Sequence, residues 1–375
     1  MTGPLGGIRI LEFSSIGPAP FAAMVLSNLG GDVLRLYRPG DEPPVQAPGA
    51  ATDKRGRPAV EVDLKSDDGR ALARRLAARA DVILEGYRPG VMERLGLGPD
   101  DLMTGNPALV YGRMTGYGQD GPLAQAVGHD INYIAVSGVL SLIARRGERP
   151  LFPMNLLGDY GGGGMLLALG VVCGVLEARS TGRGQVVDAA MTDGAAQLAT
   201  VILGMRAAGS WGPPGTNVLD SGAPFYEVYE TADSGFVALG AIEPPFYAAL
   251  LEVLEISATD APQWDQRRWP ELKTLFAATI RLRTRAEWTE RAEGTASCLS
   301  PVLTPEEAQA HPHHVARQTF PELGGGLIPR VAPRFSGHRS SDDVPPRVAA
   351  TLASWGLEAT EVADLDSAGL LSDPA

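Results

Sequence analysis

Cysteine is nearly missing from this 375-residue chain: there are two, Cys173 and Cys298. They lie far apart and form no CxxC pair. A zinc or dithiol redox motif is thereby excluded, and two reduced, buried thiols in a reducing compartment are expected. Histidine is almost as scarce, with five residues. The N-terminal Met-Thr-Gly-Pro-Leu lacks the basic start and apolar stretch of a secretory signal. The C-terminal Ser-Asp-Pro-Ala is not a peroxisomal tripeptide. The most apolar run, Met165 to Leu176, stops at Glu177 and Arg179 and falls short of the roughly 20 residues that a bilayer demands. Positive charge is also short: 32 Lys and Arg against 44 Asp and Glu leave −12. So acidic a chain has no global attraction for nucleic acid or an anionic membrane. The expectation is a soluble, cytoplasmic protein that holds an anionic ligand only where Arg and Lys cluster.

What is present is a normal core-forming composition, 44% apolar and 20% charged. The length suggests about two domains at roughly 150 residues each. Ile8 to Phe13 reads as a strand with Ile8 and Ile10 on one face. Gly17-Pro18-Ala19-Pro20 opens a helix whose stripe is Met24, Val25, Leu26 and Leu29, ended by Gly30-Gly31. Val33 to Tyr37 follows as a strand. This unit carries no GxGxxG, so a dinucleotide fingerprint is not supported. A second passage repeats the pattern: strand Val60 to Leu64, a helix capped by Ser66, then strand Asp81 to Tyr87. Leu109 to Met114 is a further strand, Gly164 to Arg179 a long buried helix, and Gln185 to Asp188 a short strand. Alternating strands and helices predict a mostly parallel sheet covered on both faces, an α/β fold. Tyr226 to Leu239 reads as a hairpin turning at Asp233-Ser234-Gly235. The Gly- and Pro-rich stretches divide the chain into a large domain (1–190 plus 335–375), a linker (191–225), a smaller α+β domain (226–317) and a return linker (318–334).

Four places carry candidate chemistry. His129 stands at a loop-to-apolar transition in Gly128-His129-Asp130-Ile131-Asn132-Tyr133. It reads either as a hydrogen-bonded structural residue or as a general base near neutral pH. Asp159 precedes four glycines and an apolar helix. It is either an N-cap on a hinge or a carboxylate where backbone packs against substrate, with glycine N–H groups available to an oxyanion. His311-Pro312-His313-His314 has no carboxylate or thiol at useful spacing, so a solvated loop or helix entry is preferred to a metal site. Arg38, Lys65, Arg88 and Arg94 concentrate at strand ends. Ligands of open α/β sheets bind beyond the carboxyl ends of strands, where Arg and Lys suit a polyphosphate.

These segments resemble a known family. PLGGIRILEFSSIGPAPFAAMVLSNLG, LEGYRPGVMERLGLGP, RMTGYGQDGP, GHDINYIAVSGVL, MNLLGDYGGGGM, GQVVDAAMTDG, LDSGAPFYEVY and GAIEPPFY are similar to the α-methylacyl-CoA racemases of the family III CoA-transferase superfamily. The likeness runs to about Tyr247 and continues more weakly through CLSPVLTPEE. It is divergent between Arg38 and Arg57 and beyond Ala332. The resemblance implies a Rossmann-like large domain with a smaller one, and two protomers interlinked as a homodimer. It implies catalytic roles for His129 and Asp159, with Glu243 of the small domain near them. It implies CoA contacts at Arg38, Val62, Asp63, Leu64, Lys65, Gly86, Tyr87, Arg88, Arg94 and the Gly128–Tyr133 loop (Gly128, Asp130, Ile131, Asn132, Tyr133).

The implied reaction interconverts (2R)- and (2S)-2-methylacyl-CoA thioesters. An α-proton leaves to a base on one face, and an acid on the other face returns one through an enolate. It requires no metal and no cofactor apart from the CoA of the substrate, whose remote groups hold the reacting carbon in place. The alternatives are a family III CoA-transferase with Asp159 as nucleophile and a non-catalytic CoA-thioester-binding protein. Met154, Leu156 and Leu157 read either as a greasy acyl groove or as core.

Overall fold

A computed structural model describes residues 3–40, 57–321, 329–338 and 347–373. Most of the divergent segment after Arg38, and parts of the return linker and of the stretch after it, lie outside those residues. Contacts divide the chain into two units. The first is Met1–Val139, Pro153–Thr200 and Val331–Ala375; the second is Leu140–Phe152 and Val201–Arg330.

The first unit is built on β1 (Arg9–Phe13), α1 (Pro18–Asn28), β2 (Asp32–Tyr37), β3 (Ala59–Glu61), α2 (Asp67–Ala77), β4 (Val82–Glu85), α3 (Val91–Arg94), α4 (Pro99–Met103) and β5 (Val110–Thr115). Then come α5 (Asp130–Val136), a π-helical stretch (Leu156–Met165) that runs on as α6 (Leu166–Thr181), β6 (Val186–Ala190) and α7 (Met191–Leu198). With β10 (Leu371–Ser372), the strands form a seven-stranded sheet in the order β10-β3-β2-β1-β4-β5-β6. All pairings are parallel except that of β10 with β3. The mostly parallel α/β sheet read from alternation is therefore present.

Side-chain alternation on β1 explains its two covered faces. Leu11 and Phe13 pack to one side with Leu34, Leu76, Tyr111 and Trp355. Ile8 and Ile10 pack to the other with Ala22, Leu26, Leu167 and Val171. The first-turn prolines of α1 fit positions where an N–H has no helical partner. Ser66 Oγ accepts from Gly69 N–H at 3.0 Å and caps α2. The weakly matching C-terminal stretch still contributes to this core: Trp355 is buried, and its indole N–H donates to Asp32 at 2.7 Å.

The second unit pairs β7 (Tyr226–Glu230) and β8 (Phe236–Gly240) as an antiparallel hairpin, in the place the turn residues marked. Ser234 takes a left-handed φ of 60° in that turn. A third strand, β9 (Leu299–Pro301), pairs with β8; three residues are too few for a sequence pattern to reveal. Helix α8 (Thr200–Ala207) precedes the hairpin, and helices α9 (Pro244–Leu254), α10 (Trp269–Ile280) and α11 (Arg285–Ala292) pack around Phe225, Trp269, Phe276 and Trp288.

Three expectations are corrected. The helix read as Gly164 to Arg179 is longer and less buried. Its π-helical start lies in the glycine run, so Leu156–Thr181 is continuous over 26 residues, long and apolar enough by length and composition to cross a membrane. About half of that window is buried inside the protein, while Leu169 and Leu176 are exposed. The apolar stretch exceeds the expected length because the glycine run before it is itself helical. Finally, both cysteines are exposed, not buried.

Candidate functional site

Two cavities lie in the first unit at the carboxyl ends of its strands. The inner one, of about 290 Å³, is lined by Gly17, Gly86, Tyr117, His129, Tyr133 and Asp159 among others. The outer one, of about 730 Å³, is lined by Arg38, Asp63, Leu64, Lys65 and Arg94 with the turn of α3. Tyr87 and Arg88 line both.

His129 is the N-cap of α5 and is exposed. Its main-chain N–H donates to Asn132 Oδ1 at 3.1 Å, so Asn132 stiffens this helix start from within its first turn. The Tyr133 hydroxyl donates to the Gly128 carbonyl. The Tyr133 ring fills the space that a side chain at Gly116 or Gly128 would need, with a Cβ at Gly116 meeting it at 2.1 Å. Tyr117 packs edge-on against Tyr133 at 5.0 Å. The His129 loop is thus held by an aromatic pair and two hydrogen bonds.

Asp159 sits in the first turn of the π-helical stretch, not at an N-cap. The four following glycines are a packing device, which replaces the reading of a hinge or an oxyanion cradle. A Cβ on Gly162 would lie 2.7 Å from Ala195 N, one on Gly163 2.9 Å from Met191, and one on Gly164 2.6 Å from Phe21. The glycines let this stretch press against both α1 and α7, and π-helical turns of this kind concentrate at functional sites. The Asp159 main-chain N–H donates to Asp130 Oδ1 at 2.6 Å, and Asn155 Nδ2 donates to Asp159 Oδ2 at 3.2 Å. Burial pushes the Asp159 carboxyl above the ordinary aspartate value. The Asn155 hydrogen bond and His129 oppose that rise, and the Asp130 carboxylate adds to it. A desolvated carboxylate beside an imidazole can exchange a proton with a bound carbon acid.

In the outer cavity Arg38, Lys65, Arg88 and Arg94 are all exposed. Among the described residues, Lys65, Arg88 and Arg94 enter no ion pair within 4.0 Å. Cations clustered beyond strand ends without carboxylate partners suit a phosphorylated ligand. Glu85 and Arg113 brace the turn that carries Tyr87 and Arg88. Buried Arg113 pairs with Glu85 at 2.8 Å, and Glu85 accepts the Tyr87 N–H at 2.7 Å. Burial raises the Glu85 carboxyl.

The sequence-marked residues divide accordingly. His129, Asp159, Gly86, Gly128 and Tyr133 come together at the inner cavity, and Arg38, Asp63, Leu64, Lys65 and Arg94 at the outer. Val62, Asp130, Ile131 and Asn132 line neither. Val62 and Leu64 point their side chains into the core, so a ligand would meet Leu64 through main chain. Glu243 occupies the N-cap position of α9 in the second unit, makes no side-chain capping hydrogen bond and is exposed. Met154, Leu156 and Leu157 line neither cavity, and Met154 and Leu156 are exposed. His311 caps the helix Pro312–Arg317 by accepting the His313 N–H, a helix entry as expected. Sequence reasoning passed over Gly17, Asn155 and Tyr117. Gly17 has φ 76°, and a Cβ there would face Asp159 Oδ2 at 3.6 Å. A glycine just before a helix-opening proline was its available signal.

Fold and site together define a two-unit α/β protein whose cationic outer cleft adjoins an inner cavity lined by His129 and Asp159. The chain belongs to CoA-transferase family III, which matches residues 5–349. It is 42% identical to mouse (Mus musculus) α-methylacyl-CoA racemase over 97% of this chain and 96% of that protein. It is 45% identical to the human (Homo sapiens) α-methylacyl-CoA racemase over 84% of this chain and 82% of that one. The crystal structure of Rv3272 from Mycobacterium tuberculosis, named a probable fatty acyl-CoA transferase, superposes with a TM-score of 0.76 at 29% identity, covering 91% of this chain and 95% of that one.

Proposed function

We propose that this protein is a racemase that interconverts the (2R) and (2S) forms of 2-methylacyl-CoA thioesters by 1,1-proton transfer. One observation carries the reading: Tyr87 and Arg88 line both an inner cavity holding His129 and Asp159 and an outer cavity rich in Arg and Lys. A CoA thioester has that form, with phosphates at one end and the reacting carbon at the other. The named racemases at 42% and 45% identity support the same reading.

In this mechanism the phosphates engage Arg38, Lys65, Arg88 and Arg94, and the thioester enters the inner cavity. Asp159 or His129 removes the α-proton from one face. The enolate then takes a proton from the other group, and the roles reverse for the opposite enantiomer. Partial burial of Asp159 makes its carboxylate a stronger base than one in water and keeps solvent from the enolate. The remote CoA contacts fix the carbon between the two groups. The family resemblance adds Glu243, the N-cap residue of α9, as a further acid–base contributor. The reaction calls on no cofactor beyond the CoA of the substrate.

The proposal includes self-association as a homodimer, supported by exposed apolar side chains such as Leu169 and Leu176. It assigns the protein to the cytoplasm, with Leu156–Thr181 as a packing helix and with no membrane or nucleic-acid partner. The half-buried state of that helix and the charge of −12 support this. The proposal retains a large and a smaller domain joined by linkers, with α7 (Met191–Leu198) counted in the large domain.

The test is to incubate one enantiomer of a 2-methylacyl-CoA in deuterated water without any acceptor acid. Incorporation of α-deuterium with loss of optical purity is expected. No exchange with any branched acyl-CoA would overturn the racemase reading; transfer of CoA to an added acid would favour Asp159 as a nucleophile.

A further inference from the structure

We propose that the buried Asp130 carboxylate is a positioning residue that ties the Asp159 turn to the His129 helix start and sets the two groups against each other; this rests on their acid–base roles above. Asp130 immediately follows His129 and begins α5, yet its side chain turns inward and is 5% exposed. Its Oδ1 accepts the main-chain N–H of Asp159 at 2.6 Å. One side chain therefore links the backbone beside His129 to the backbone of Asp159, across 29 residues of sequence.

The surroundings are shaped for this link. A Cβ on Gly158 would lie 2.4 Å from Asp130 Oδ1 and 2.9 Å from its Cγ. Glycine at 158 is thus what lets the carboxylate reach the Asp159 amide. Asn155 grips the Asp159 side chain from the same turn. Asp159 is held twice, at its amide by Asp130 and at its carboxylate by Asn155.

A purely structural role is a poor account of this carboxylate. Its second oxygen, Oδ2, is buried and has no hydrogen-bond partner among the described residues. A buried, unsatisfied and charged oxygen costs stability. An asparagine would accept the same N–H without bringing that charge. What the carboxylate adds is a negative charge beside Asp159, which favours its protonated form. His129 acts on Asp159 in the opposite sense, and the Tyr133 phenol also faces it. One side chain that lines neither cavity thus bears on both the position and the proton affinity of Asp159, alongside burial and the Asn155 hydrogen bond.

The experiment compares Asp130→Ala and Asp130→Asn with the wild-type protein in three readouts. Hydrogen–deuterium exchange of the peptide amides spanning Asp159 should be protected in wild type and in Asp130→Asn, and lose protection in Asp130→Ala. Isotope exchange into 2-methylacyl-CoA should fall about 100-fold in Asp130→Ala, the scale of a misplacement of about 1 Å, while inhibition by free CoA stays unchanged. In Asp130→Asn the acid limb of the pH–rate profile should move to lower pH, because the like charge beside Asp159 is gone. Isotope exchange in Asp130→Ala within threefold of wild type, unaltered amide protection there, or an unmoved acid limb in Asp130→Asn would each overturn the proposal. Gly158→Ala, which crowds the carboxylate without removing it, should reproduce the loss of amide protection; retained protection there would also count against it. Absence of isotope exchange in the wild-type protein would overturn the racemase reading alone, since amide protection reports on the Asp130 link without turnover.

Discussion

The inner and outer cavities are built by opposite means. The inner one is lined by Asp159 of the glycine-packed π-helical stretch, by the His129 helix start and by the Tyr117–Tyr133 aromatic pair. Its groups have little freedom, and Asp159 is partly desolvated. The outer one is walled by long, exposed cationic side chains at strand ends. Proton transfer at carbon demands fixed geometry and little water, whereas phosphate binding tolerates mobile, solvated partners. The contrast predicts that inner-cavity changes act on the rate constant and outer-cavity changes on substrate affinity.

The largest expected effect tests that division directly. His129→Ala and Asp159→Asn should each lower α-deuterium exchange by about 100- to 10,000-fold, the usual yield of a positioned acid or base. CoA-ester affinity, measured by calorimetry, should be retained. Equal exchange in either variant and wild type would remove that residue from the acid–base pair.

Gly162→Ala should be next. Its Cβ would meet Ala195 N at 2.7 Å and Gly194 C at 2.9 Å. Backbone cannot yield as a flexible side chain can, so unfolding in denaturant should show a loss of about 1–3 kcal/mol. Unchanged stability would mean that the glycine run is not the packing device inferred here.

Arg88→Ala and Arg94→Ala should each raise KM about tenfold and leave kcat within about twofold, as for the loss of one charge-assisted contact to phosphate. Added salt should shrink the difference. A fall in kcat with unchanged KM would place either arginine at the chemistry and blur the contrast between the cavities.

The smallest effect concerns stability. The folded-state pKa of Asp159 lies above its ordinary 3.8. The folded protein therefore binds that proton more readily than the unfolded chain does. The stabilising contribution is full below 3.8 and is lost as pH rises through the folded value. At pH 7 the ionised carboxylate is a burden, so Asp159→Asn should raise Tm by about 2 °C even as it lowers exchange. The gain should vanish as pH falls below 3.8; a Tm below wild type at pH 7 would contradict the desolvation account.

Much of this was legible before the fold. The order of strands and helices in the first unit follows period-two and period-3.6 patterns, which are local. The hairpin at Tyr226–Gly240 was marked by its turn residues. His129, Asp159 and the cationic strand ends stood out by chemistry and by resemblance to racemases. The glycines after Asp159 were visible but misread, because glycine admits a hinge, an anion cradle and close packing alike. Burial of the cysteines failed for a related reason: composition gives a preference, and the face a residue takes depends on what packs beside it. β9 and β10, of three and two residues, were too short to leave a pattern.

By itself, then, the sequence determined the family, the alternating α/β architecture and the residue types available for proton transfer and phosphate binding. Only the tertiary structure decided that Asp159 stands in a glycine-packed π-helical turn, that Asp130 reaches across to its amide, and that Tyr87 and Arg88 border both cavities. Patterns along a chain record neighbours a few residues apart. Desolvation and hydrogen bonding at this site depend on groups such as Gly17, Asp130 and Asp159, which are distant in sequence and meet only when the sheet and its helices pack.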